Sequence, residues 1–90
     1  MSVNTRVVTI QNKRGLHARA AAKLAQVTGK FNARVTVTRG TQTVTGASIM
    51  GLMMLAASSG TKVSITATGE QSKAALDAIC NLIEAKFEED

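Results

Sequence analysis

The sequence predicts an α+β, two-layer fold: an open-faced β-sandwich with a four-stranded antiparallel sheet and three helices on one face, in the order βαββαβα. Three observations predict it. The strand-like segments alternate apolar and polar residues cleanly, giving each strand one dry and one wet face, as in an antiparallel sheet covered on a single side. Two of the helix-like segments carry a single apolar stripe. Ninety residues suffice for one core but not two, since compact domains run to about 100 to 150 residues. Residues 1–90 are therefore expected to form one domain.

Each element follows from its own residues. Arg6-Val7-Val8-Thr9-Ile10 predicts a strand with Val8 and Ile10 on one face. Gln11 to Leu16 is a basic loop in which Gly15 is available for a positive φ. Ala18 to Thr28 is alanine-rich and of high helix propensity, with Ala21, Leu24, Ala25 and Thr28 on one face and Gly29 as a stop. Ala33 to Thr38 alternates strictly, and Arg39-Gly40 turns into Thr41 to Thr45, so the pair predicts a hairpin burying Val35, Val37 and Val44. Ser48 to Ala57 predicts a short apolar helix with Ser48 as N-cap and Gly60 ending the turn after it. Thr61 to Thr68 alternates again, with Val63, Ile65 and Ala67 pointing one way. Gln71 to about Phe87 aligns Leu76, Ile79, Cys80, Ile83 and Phe87 on a last helix. Glu88-Glu89-Asp90 reads as a solvated tail.

Composition removes several functions. The longest apolar run, Ile49 to Ala57, is too short to cross a bilayer and is broken by Gly51. Met1 to Thr9 lacks the pattern of a secretory signal, so the cytosol is the expected compartment. Cys80 is alone, without a partner for a disulfide or a zinc site. The net charge is +5, and residues 1–69 hold nine basic residues and no carboxylate. Paired-carboxylate catalysis and oxygen-ligand sites for Mg or Ca need acids that this stretch lacks. With a single histidine, no metal is expected. The basic surface calls for an anionic partner: a phosphate, an acidic protein face or nucleic acid. Single-strand binding also needs aromatic platforms, and Phe31 and Phe87 are the only aromatics, so nucleic acid ranks last.

Chemistry concentrates at Gly15-Leu16-His17-Ala18-Arg19, where the only histidine meets the start of a helix. A helix start has free backbone N–H groups and the positive end of its dipole. With the N-cap near Ala18, no side chain occupies those donors. The same field favours a phosphoryl group acquired by His17, with Arg19 and Arg14 near enough in sequence to pair with it. The plainer alternative is a loop histidine with no such task. Gly46 and Gly51 have the spacing of a phosphate-binding P-loop, but Leu52-Met53 stands where Lys and Ser or Thr are required. A short helix cannot bury Ile49, Met50, Leu52, Met53, Met54 and Leu55 against one sheet. Some must face outward, where methionines make adaptable partner surfaces. Ser48 is first an N-cap and, as the sharper alternative, a regulatory phosphoserine.

Gly15-Leu16-His17-Ala18-Arg19, then Ser48-Ile49-Met50-Gly51-Leu52-Met53 with Gly60, and Gly69 before the last helix, closely resemble the histidine-containing phosphocarrier (HPr) family of the phosphoenolpyruvate-dependent phosphotransferase system. The resemblance covers essentially the whole chain. It implies that His17 accepts a phosphoryl group on Nδ1 from enzyme I and passes it to a IIA component, for sugar uptake or regulation. It further implies that Arg19 assists the phosphate, that HPr kinase acts on Ser48 in many members, and that Ile49, Met50 and Met53 meet partner proteins. Ala20 departs from the usual proline after the arginine and adds one N–H at the helix start. Ala47 stands where many kinase-regulated members have a basic residue.

The function expected is a cytosolic, monomeric phosphocarrier with no turnover of its own. His17 carries the phosphate, Arg19 is its electrostatic partner and the Ala18 and Arg19 amides are its cradle. No cofactor is expected. The alternatives are a regulatory, nitrogen-type phosphocarrier and a protein-interaction module switched by phosphorylation.

Overall fold

The computed structural model describes residues 2–89. Its elements are β1 (Val3–Thr9), α1 (Ala18–Thr28), β2 (Arg34–Arg39), β3 (Gln42–Thr45), α2 (Ile49–Met54), β4 (Lys62–Thr68) and α3 (Ser72–Glu84), followed by a short turn at Lys86–Glu88. The four strands form one antiparallel sheet in the order β1-β4-β2-β3. The succession of elements along the chain and the open-faced antiparallel architecture are those expected.

Register explains which residues make the core. Val8 lies opposite Val63, and Ile65 lies between Arg6 and Val37. Residues directly opposite one another point to the same face. Val8, Val35, Val37, Val63, Ile65 and Ala67 are therefore buried together beneath the helices. The helices supply Leu24, Leu52, Leu55, Ile79 and Ile83, all buried. The uncovered face is largely hydroxylic, with Thr5 bonded to Thr66 at 3.1 Å and Thr38 to Thr43 at 2.8 Å. Val44, expected in the core, is only half-buried because β3 is an edge strand.

Three boundaries differ from expectation, each for a local reason. β1 begins at Val3, upstream of Arg6, because its pairing with β4 extends to Val3 opposite Thr68. α2 stops at Met54 instead of continuing to Ala57: Ala56 adopts φ +52. The reversal presents the Ala57 carbonyl to the Leu16 amide at 2.8 Å. α3 stops at Glu84, and Lys86, Phe87 and Glu88 all take positive φ, between 56 and 61°. That left-handed turn folds Phe87 fully into the core and bends the chain back toward α1. Gly46 serves packing and not phosphate binding, since a Cβ there would press on Val35 and Thr28. Among the described residues no helix is long and apolar enough to cross a membrane.

Candidate functional site

The site is built at the start of α1. The chain leaves β1, with the Ile10 amide donating to the Thr61 carbonyl at 2.9 Å, and turns through Asn12 to Gly15. Gly15 has φ +63, and a Cβ on it would overlap the Ala57 carbonyl oxygen and the Ser58 Cα. Only glycine permits this approach. The Gly15–Leu16 backbone is thereby locked to the loop after α2, and His17 emerges between them.

His17 is the N-cap of α1, in extended backbone (φ −77, ψ −179), and its side chain makes no cap hydrogen bond. The first intrahelical bond runs from the Ala21 amide to the His17 carbonyl at 2.8 Å. The amides of Ala18, Arg19 and Ala20 therefore precede the helical ladder and point out of its end. The cap falls one residue before the expected Ala18, and here too no side-chain cap takes up the first amides, an arrangement that suits an anion. Arg19 is exposed and makes no ion pair among the described residues. Arg14, also exposed, shares a shallow cleft with His17, lined further by Leu16, Ala56, Ala57 and Ser58. A larger, apolar recess between α1 and α3, lined by residues including Val27, Phe31 and Leu82, does not include His17.

The imidazole is held from the C-terminal side. His17 Nε2 lies 3.0 Å from both Glu89 carboxylate oxygens, and the two side chains are only 15% and 18% exposed. Asn12, fully buried, donates from Nδ2 to the Gly15 carbonyl at 2.7 Å and to Glu89 Oε1 at 2.8 Å. The Asn12 hydrogen bond, aided by His17 and Arg14, holds the Glu89 carboxyl below its ordinary value. The expectation of a solvated tail is thus wrong for Glu89 and holds for Glu88, which is exposed. Asp90 lies outside the described residues. The displacement comes from the left-handed turn, which Phe87 anchors and Lys23 ties down by donating to the Phe87 carbonyl at 2.7 Å.

The second group of residues lies on α2, which packs against α1. Ser48 caps it, its Oγ accepting from the Gly51 amide at 3.0 Å. Leu52 and Leu55 are buried. Ile49 and Met53 are 42% exposed, and Met50 and Met54 are 72% and 71% exposed. Met54 enlarges the patch beyond Ile49, Met50 and Met53. Among the described residues no group of His, Cys, Asp and Glu is arranged to hold a metal.

Asn12 and Glu89 are the residues that sequence reasoning overlooks. The available signal was Phe87: an apolar residue at the end of the last stripe must return to the core and carries its successors with it.

A family model described as the PTS HPr component phosphorylation site matches residues 4–85. Phosphocarrier protein NPr of Shewanella violacea is 48% identical over 84 residues, covering 93% of this chain and 92% of that protein. Phosphocarrier protein HPr of Pseudomonas putida is 51% identical over 85 residues, covering 93% and 94%. Among solved structures, HPr-C-His from Thermoanaerobacter tengcongensis superposes with a TM-score of 0.93 at 39% identity, covering 97% of this chain and 98% of that one.

Proposed function

The chain belongs to the HPr family and is a phosphocarrier of the phosphotransferase system, and from that premise we propose that His17 is the residue that carries the phosphate, on Nδ1. The observation that supports this most is the pairing of an anchored Nε2 with an uncapped helix start. One ring nitrogen is engaged and the other is left for chemistry, beside amides that accept an anion.

Transfer proceeds in line. The Nδ1 lone pair attacks phosphorus, the new N–P bond forms as the donor histidine's P–N bond breaks, and the electron pair returns to the donor ring. The Ala18 and Arg19 amides and the Arg19 guanidinium face the phosphoryl oxygens, so this chain's contribution is position and charge. Ile49, Met50 and Met53 form the patch on which enzyme I and the IIA components dock. Residues 1–90 act as one domain, as a monomer in the cytosol. Ser48 is the position where an HPr kinase would add a second, regulatory phosphate, and its hydroxyl already lies at the start of α2.

Intact mass after incubation with phosphoenolpyruvate, Mg and enzyme I tests the assignment. One acid-labile phosphate on the wild type and none on His17→Ala is the expected result; phosphate on His17→Ala would sink it. The NPr relative at 48% identity favours a second reading, in which the carrier serves a regulatory, nitrogen-type branch. Faster uptake from a nitrogen-type enzyme I than from a sugar-type one would select it.

A further inference from the structure

We propose that Glu89, steadied by Asn12, is a positioning residue for His17: its carboxylate holds the ring proton on Nε2 and so leaves the Nδ1 lone pair as the nucleophile. The proposal rests on the reading of His17 as the phosphate carrier and adds to it the group that selects the nitrogen.

Donor chemistry decides which ring nitrogen carries the proton. A carboxylate only accepts hydrogen bonds, and both oxygens of Glu89 lie 3.0 Å from Nε2, so Nε2 must be the donor. A neutral imidazole has one N–H; with it on Nε2, Nδ1 holds a lone pair. Asn12 orients the carboxylate in turn. Its Nδ2 hydrogens go to the Gly15 carbonyl and Glu89 Oε1, and a flipped amide would set oxygen against two acceptors. Its Oδ1 is buried with no hydrogen-bond partner among the described residues. A residue used only for packing has no need of this amide; the NH2 group spanning the site loop and Glu89 accounts for it.

The backbone points the same way. Three successive non-glycine residues, Lys86 to Glu88, hold left-handed φ, a conformation unfavourable for L-residues. Phe87 and Lys23 sustain it, and its result is to bring Glu89 back over His17. Glu89 also lies outside the segment 4–85 that matches the family model. During transfer no proton need move. The ring gains positive charge as the N–P bond forms, Nε2 keeps its hydrogen, and the charge develops against the carboxylate already in place.

Nitrogen-15 NMR of the His17 ring at pH 9, above the ordinary histidine range, reads the tautomer directly, and single-turnover uptake from phospho-enzyme I reads the rate. The wild type is expected as the Nε2–H form. Glu89→Ala should give a mixture of tautomers and an uptake rate lower by about tenfold, the lower end of what is lost when the outer partner of a metal-binding histidine is removed. Glu89→Gln, which retains an acceptor oxygen, should restore most of the Nε2–H form. An unchanged tautomer in Glu89→Ala overturns the proposal, as does a changed tautomer with an unchanged rate. The ring spectrum requires no phosphate. A wild type that takes up none would therefore defeat the carrier reading, while the spectrum still decides whether Glu89 selects the nitrogen.

Discussion

At the scale of single residues, the site depends on positions whose chemistry has no substitute. Gly15 combines φ +63 with backbone contact to Ala57 and Ser58. A side chain there meets both a left-handed penalty of about 1 to 3 kcal/mol and an overlap that neither partner's backbone can relieve cheaply. Gly15→Ala is expected to lower stability by at least about 2 kcal/mol in urea unfolding and to slow phosphate uptake, because His17 follows two residues later. Asn12 matters through its hydrogen bonds. Its side chain is fully buried and spends both Nδ2 hydrogens on the Gly15 carbonyl and Glu89, so Asn12→Ala would leave both acceptors without that donor, at a cost of about 1 to 3 kcal/mol for a buried one.

At the scale of elements, the turn after α3 behaves as a separable unit. Its attachment includes a carboxylate whose folded-state value lies below the ordinary 4.5, first because of Asn12 and then because of His17 and Arg14. Such a group contributes stability that is present above its unfolded value and is lost as pH falls through the lower, folded one. The C-terminal turn is thus expected to loosen below pH 4.5 while the sheet persists. Titration of the Glu89 side-chain carbon shift should show a midpoint under 4.5, with the Leu16 and His17 amide signals moving alongside; a midpoint at or above 4.5 would contradict it.

This element also marks the limit of what the sequence disclosed. Alternation located the strands, and the stripe from Leu76 to Phe87 located α3 and its buried face, because burial imposes periodicity on residue type. Gly15-Leu16-His17-Ala18-Arg19 pointed to the loop and helix start around which the candidate site is built. The left-handed run at Lys86–Glu88 was not legible, since Lys, Phe and Glu carry no preference for positive φ. It is imposed by where Phe87 and Lys23 find partners. The Asn12–Glu89–His17 cluster depends on that turn and so was hidden with it. The early end of α2 at Met54 was hidden for a similar reason: Ala56 leaves the helix so that the Ala57 carbonyl can meet Leu16.

At the scale of the whole molecule, charge and shape suit rapid, reversible docking. A chain of net charge +5 with an exposed apolar face on α2 is expected to approach acidic partner faces by long-range attraction and to be held briefly through its methionines. Screening lengths fall from about 10 Å at 0.1 M salt to about 3 Å at 1 M. The second-order rate of phosphate uptake from phospho-enzyme I should drop severalfold over that range, and Met50→Asp should lower it further at every salt concentration. A rate indifferent to salt would mean that the basic surface takes no part in the encounter. The contact between His17 and Glu89 joins positions 72 residues apart, so it depends on time as well as space. A pairing so distant along the chain is not reached by local search and waits until the sheet has brought the start of α1 and the turn after α3 together. The sheet needs neither side chain, so on refolding the His17–Glu89 contact is expected to close after the strands have paired.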